Sequence, residues 1–228
     1  MMSTQLALKQ RLVNALEAND DEAVRTLALQ SRKVFSVLVR LAYDKTTLIG
    51  WRSIRATGHV ATLYVKNNYT FLRDAIRKLL WSLSDESGGI GWSAPEILGE
   101  IVSADPVKMS DVIPLIADIF SIDERVFRPG VLYALKRISE TEPESVVPYV
   151  RLAIRGLIED DPIARIYALE LLLALKGRIS LEVHKEVMGQ IVNLIDDEAI
   201  ARPYKNDRFE EMQVKAMAKM TYHILLKN

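Results

Sequence analysis

Residues 49–58 read IGWRSIRATG and residues 90–99 read IGWSAPEILG. The Ile-Gly-Trp triplet recurs 41 positions along the chain, and in both copies a second glycine, Gly58 or Gly99, follows the first at the same distance. Self-similarity at a fixed period of a few tens of residues marks a chain built from stacked supersecondary units. Carrying the register forward puts Phe127-Arg128 and Ala164-Arg165 at the Ile-Gly position, after two further steps of 37 residues. Three residues on stand Ser53, Ala94, Val131 and Ala168, and seven on stand Thr57, Leu98, Leu135 and Leu172. Acidic residues precede each copy: Asp44, Asp85 with Glu86, Asp123 with Glu124, and Asp160 with Asp161.

Around these copies the apolar spacing is helical. Leu6, Leu8, Leu12, Val13 and Leu16 share one stripe, as do Ile76, Leu79, Leu80 and Leu83, and no comparable alternation of strand type appears. Breaks at Asn19-Asp20, Tyr43-Asp44, Asn67-Asn68, 84–91, 104–106, 121–124, 140–143, 160–162, 177–180 and 196–206 cut the chain into about a dozen helices. Asp161-Pro162 and Glu142-Pro143 put proline where the first turn of a helix has no hydrogen bond to lose, and Ser180 is placed to cap the segment from Leu181.

An apolar residue, then Arg, a small residue three on and Leu seven on, after an acidic turn, resembles the second helix of HEAT-like repeats. Arg128 to Leu135 and Arg165 to Leu172 follow that pattern, whereas Gly50 and Gly91 replace the usual Arg. The chain thus resembles small bacterial HEAT-like repeat proteins of the armadillo type, including those grouped with phycobilisome-lyase-type repeats. The resemblance implies an all-α fold, a right-handed α-α superhelix or solenoid of about five to six helix pairs forming one domain over residues 1–228. Residues 1–43 are then irregular N-terminal helices, 44–195 the clearest repeats, and 208–228, with Phe209, Met212, Met217, Met220 and Leu225, a C-terminal capping helix.

Thirty Lys plus Arg balance thirty Asp plus Glu, so no global field draws the chain to nucleic acid or an acidic membrane. The charge is unevenly spread: residues 1–80 carry 13 basic and 6 acidic side chains, and residues 81–228 carry 17 and 24. This marks an anionic partner for the N-terminal half, with Arg52, Arg55, Arg73, Arg77 and Lys78 as contributors; a solvated face is the plainer reading. Cysteine is absent, which excludes disulfides and thiol chemistry and fits the cytoplasm. No run approaches the ~20 apolar residues of a membrane span.

If the second helices line a concave face, Trp51 and Trp92 form a ladder there, with Arg52, Arg55 and Glu96 beside them and an ion pair expected between Arg55 and Glu96. Tryptophan beside arginine is the chemistry of recognition surfaces; equally, a tryptophan at a fixed place in a repeat fills the space left by a missing Arg. The segment from Trp81 through Asp85, Glu86, Gly88 and Gly89 to Trp92 has the composition of an anion-cradling loop and also that of an inter-repeat turn needing positive φ. His59, His184 and His223 show no metal-ligand spacing, so neither a metal nor a cofactor is expected.

These features favour a non-enzymatic scaffold binding a protein partner through its concave face. Two alternatives rest on resemblance. Bacterial alkylpurine DNA glycosylases share a HEAT-like solenoid with groove tryptophans and a carboxylate, to which Trp81, Asp85 and Arg128 are similar, although local acidity from Trp81 onward disfavours nucleic acid. A phycobilisome-lyase-like chromophore protein is the other. Oligomeric state is not legible in the sequence.

Overall fold

Four helix starts in this protein carry their own side-chain hydrogen-bond acceptors. A computed structural model describes residues 4–83, 91–122 and 125–227. Among these, twelve α-helices form, and the fold class is all-α. Asp20, Thr47, Asp161 and Ser180 each accept a backbone N–H of the helix they precede, at 2.9, 3.1, 2.8 and 3.4 Å. Each bond satisfies a donor that the helix cannot pair internally.

The chain gathers into two units, Met1–Asp105 and Pro106–Asn228. The first holds α1 (Thr4–Glu17), α2 (Asp21–Gln30), α3 (Lys33–Leu41), α4 (Leu48–Asn67), α5 (Tyr69–Ser82) and α6 (Ala94–Ser103). In it α4 is central: α2 and α6 pack on it as neighbouring second helices, and α3 and α5 flank it as first helices. The second unit holds α7 (Ile113–Ile119), α8 (Arg128–Ser139), α9 (Val150–Gly156), α10 (Pro162–Ala174), α11 (Leu181–Val192) and α12 (Val214–Leu225). Here α10 is central, between α8 and α12 and against α9.

The repeat register is realised as burial. Ser53, Ala94, Val131 and Ala168, three residues into the pattern, and Thr57, Leu98, Leu135 and Leu172, seven in, are all 0% exposed. Residues that alternate between three and four apart lie on one stripe of a helix, and in each unit that stripe faces the packed neighbours. The hydroxyls of Ser53 and Thr57 are tolerated there because they donate to carbonyls of their own helix, Ile49 at 2.7 Å and Ile54 at 2.6 Å.

The departure at Gly50 has a steric cause. A Cβ there would sit 1.9 Å from the backbone oxygen of Asp44, so the acidic turn lies directly against the start of α4. Gly58 does the same for helix packing: a Cβ would come within 2.7 Å of the Glu100 carboxylate, and its absence brings α4 and α6 close together. In the second unit the repeat arginines pair with acids ahead of the next second helix. Arg128 meets Glu159 at 2.6 Å, and Arg165 meets Asp197 at 3.0 Å while also donating to the Asp160 carbonyl at 3.0 Å.

Two expected elements differ. The closing helix begins at Val214, not Arg208: Ile200–Ala201 (β1) pairs with Met212–Gln213 (β4), and Tyr204–Lys205 (β2) with Arg208–Phe209 (β3). Asn206 and Asp207 turn this hairpin with φ of 49° and 60°. Two successive positive φ values give the tight turn whose twist matches paired strands, and Asn and Asp tolerate them best. Glu142-Pro143 opens a short 3-10 turn, Pro143–Ser145, and α9 starts only at Val150.

Candidate binding groove

The apolar stripe of α3 exceeds what the core takes up. Val34, Phe35, Val37 and Leu38 are buried, while Val39 remains partly open beside Ser36 and Arg40. On α5, Leu72, Ile76 and Leu79 face inward, and Phe71, Asp74, Ala75 and Lys78 form the neighbouring strip. Between the two strips runs an open groove of about 530 Å³, floored by Phe35, Val39, Phe71, Ala75 and Leu79. Trp81 stands at its end, 70% exposed. The floor is held rigidly: Phe71 meets Phe35 edge-on at 6.0 Å and Tyr64 at 5.5 Å, and the Arg32 guanidinium lies 5.7 Å from its ring.

The rim is cationic and largely unengaged. Arg40 donates to the Ser36 carbonyl of its own helix at 3.2 Å, and neither it nor Lys78 meets a carboxylate among the described residues. The rim acid, Asp74, is ion-paired to Arg77.

The residues expected at a concave recognition site are placed differently from one another. Trp51 is 6% exposed and belongs to the core. Arg52 donates to the Leu16 and Glu17 carbonyls, both at 2.9 Å, and so caps the C-terminal end of α1. Arg55 is partly buried on the same helix. Glu96 is 2% exposed; its Oε1 accepts from Lys45 at 2.8 Å and its Oε2 receives no hydrogen bond. Its ion-pair partner is therefore Lys45, and the pair anticipated with Arg55 is not made. Trp92 is displayed, at 37% exposure, so the two tryptophans do not form a surface ladder.

Arg128, besides its bond to Glu159, lies 5.4 Å over the Phe120 ring. Asp85, Glu86, Gly88 and Gly89 lie outside the described residues. No group of three or more His, Asp or Glu side chains among the described residues is arranged to hold a metal ion. None of their helices is long and apolar enough to cross a membrane.

A second polar cluster lies where α2, α4 and α6 meet. His59 is 3.1 Å from Asp21. Burial pushes its imidazole below the ordinary value, Asp21 and Glu100 pull it upward, and Arg55 and Arg25 push it down. Trp81 was expected in the loop leading to Trp92 and beside Asp85 and Arg128, not in this groove, and Phe35, Val39 and Phe71 were not expected at a site. Their signal was a surplus of apolar positions on two first helices, more than one buried stripe requires.

No known protein family matches the chain. No curated protein matches it either. Among solved structures, the chain is similar to the archaeal HEAT-like repeats protein from Thermococcus onnurineus NA1, with 13% identity, a TM-score of 0.39, and coverage of 96% of this chain and 97% of that one. The chain is an all-α repeat protein built from stacked helix pairs.

Proposed function

We propose that this chain is a non-enzymatic scaffold of HEAT-like repeats that binds a protein partner, and that the groove between α3 and α5 receives it. The observation that carries this reading is an open apolar floor ending in a tryptophan that is 70% exposed. Leaving an indole in water forgoes about 1.5–3 kcal/mol of burial free energy available to a large apolar side chain. Large aromatics beside exposed apolar surface are where binding energy concentrates in protein interfaces. Of the surface first expected, at Trp51, Arg52, Arg55, Trp92 and Glu96, the side chains of Trp51, Arg52 and Glu96 are committed to the fold, which favours an interface on α3 and α5 instead.

The absence of cysteine supports placement in the cytoplasm. The DNA-glycosylase reading draws no comparable support. Its arginine, Arg128, is engaged by Glu159, and its carboxylate, Asp85, lies outside the described residues.

The test is affinity purification from the source cell with the whole chain as bait. Trp81→Ala and Val39→Glu should each lose a protein that the unaltered chain retains, while the helical circular-dichroism signal stays within error. Retention of every captured protein by both variants would overturn the assignment of the groove.

A further inference from the structure

Resting on the groove as the binding surface, we propose that its occupant is an acidic amphipathic α-helix of the partner. Three observations define that chemistry. The first is the nature of the walls. Both are α-helices, α3 and α5, whose backbone groups are paired within themselves. An extended peptide would find no sheet edge with which to pair its N–H and C=O groups, and burying them against an apolar floor is costly. A helix arrives with its backbone satisfied and presents side chains alone.

The second is spacing. On α5 the groove is lined at Phe71, Ala75, Lys78, Leu79 and Ser82, a strip spanning about three helical turns, or roughly 16 Å. A partner helix of similar length places anchors at i, i+3 or i+4, and i+7 along it. A volume of about 530 Å³ accommodates several such anchors.

The third is charge. From Lys33 to Ser82 the chain carries 9 Lys plus Arg and 2 Asp plus Glu. Arg40 rises from one wall and Lys78 from the other, and among the described residues neither meets a carboxylate; Asp74 is ion-paired to Arg77. Two cations on opposite rims complement a helix whose apolar face is bordered on both sides by Glu or Asp. A basic helix would meet repulsion from both rims.

The experiment uses fluorescein-labelled synthetic helices and the whole chain, read by fluorescence anisotropy. One peptide carries Leu at i, i+3 and i+7 with Glu at the flanking positions on an Ala background. A second replaces every Glu by Lys. The Glu-flanked peptide should bind at least about tenfold tighter than its Lys-flanked counterpart, weaken as salt rises, and lose about tenfold on Trp81→Ala. The double variant Arg40→Glu, Lys78→Glu should reverse the preference, a gain of binding that misfolding would not produce.

Equal binding of both peptides, still sensitive to Trp81→Ala, would overturn the acidic preference and leave the groove in place as the interface. Binding of the Glu-flanked peptide that ignores Trp81→Ala and the charge reversal would put it elsewhere and overturn the inference. Failure of both peptides to bind overturns it too, and the capture experiment then judges the groove separately. Self-association in sedimentation that Trp81→Ala abolishes would name a second copy as the occupant instead.

Discussion

Gly50 and His59 show how single residues on α4 are bound to the turn and helices around them. Adding one methyl at Gly50 sets a Cβ against the Asp44 carbonyl, a backbone atom that cannot swing away as a side chain can. Gly50→Ala should therefore cost about 1–3 kcal/mol, measured as a lowered urea midpoint at unchanged slope; a midpoint at or above that of the original chain would refute the steric account. His59 makes a pH-dependent contribution. Its imidazole is held below the ordinary value of 6.5, mainly by burial, with Asp21 and Glu100 opposing and Arg55 and Arg25 assisting. The unfolded chain then takes up the proton first as pH falls, so this stability is fully present above about pH 6.5 and is lost below it, down to the depressed value of the folded state. His59→Gln should flatten the fall in melting temperature across that window, and an undiminished fall would show that other groups carry it.

Among the elements, the hairpin ahead of α12 is the least expected, and it is tied to the repeats by a buried acid. Glu170 on α10 is 8% exposed and receives Lys205 of β2 at 2.6 Å and Lys136 of α8 at 3.4 Å. One carboxylate thus joins α8, α10 and the hairpin, and it occupies the repeat position that holds Glu96 in the first unit. Both lysines are partly solvated, which tempers the loss when the acid is removed. Glu170→Ala should destabilise by about 1–3 kcal/mol and speed hydrogen exchange at Tyr204 and Lys205. Unchanged exchange there would mean that the strand pairing alone holds the hairpin.

For the whole molecule, the charge pattern depends on where the chain is divided. The excess of seven basic side chains over residues 1–80 shrinks when the boundary falls at Asp105: residues 1–105 carry 13 basic and 11 acidic groups, and residues 106–228 carry 17 and 19. Part of the difference is structural acid, since Glu96 and Glu100 are buried on α6, Glu96 paired with Lys45 ahead of α4 and Glu100 packed at Gly58. A stack of helix pairs also needs its last stripe covered. In the second unit α12 does this, burying Val214, Met217, Ala218, Thr221 and Leu225 against α10 and α11. A chain shortened by residues 214–228 should melt at lower temperature and bind an apolar dye such as ANS before unfolding. A shortened chain with unaltered melting and no dye binding would show that the helix is not a cap.

Helical class, the repeat register and the buried positions from Ser53 to Leu172 were legible, because periodic burial imposes a periodic pattern on the chain. The β-hairpin was not: its strands are two residues long, too short for alternation to register, and only the Asn206-Asp207 pair announced it. Nor could the sequence say which tryptophan is displayed. Trp51 and Trp92 share a motif, yet one is buried and the other is not, and Trp81 proves the most exposed of the three. Exposure of a large side chain depends on the neighbouring helix that covers it, and that neighbour is distant in sequence. The groove follows the same logic. Its residues lie on α3 and α5, separated by the whole of α4, and only the packing of both against α4 brings them to face one another.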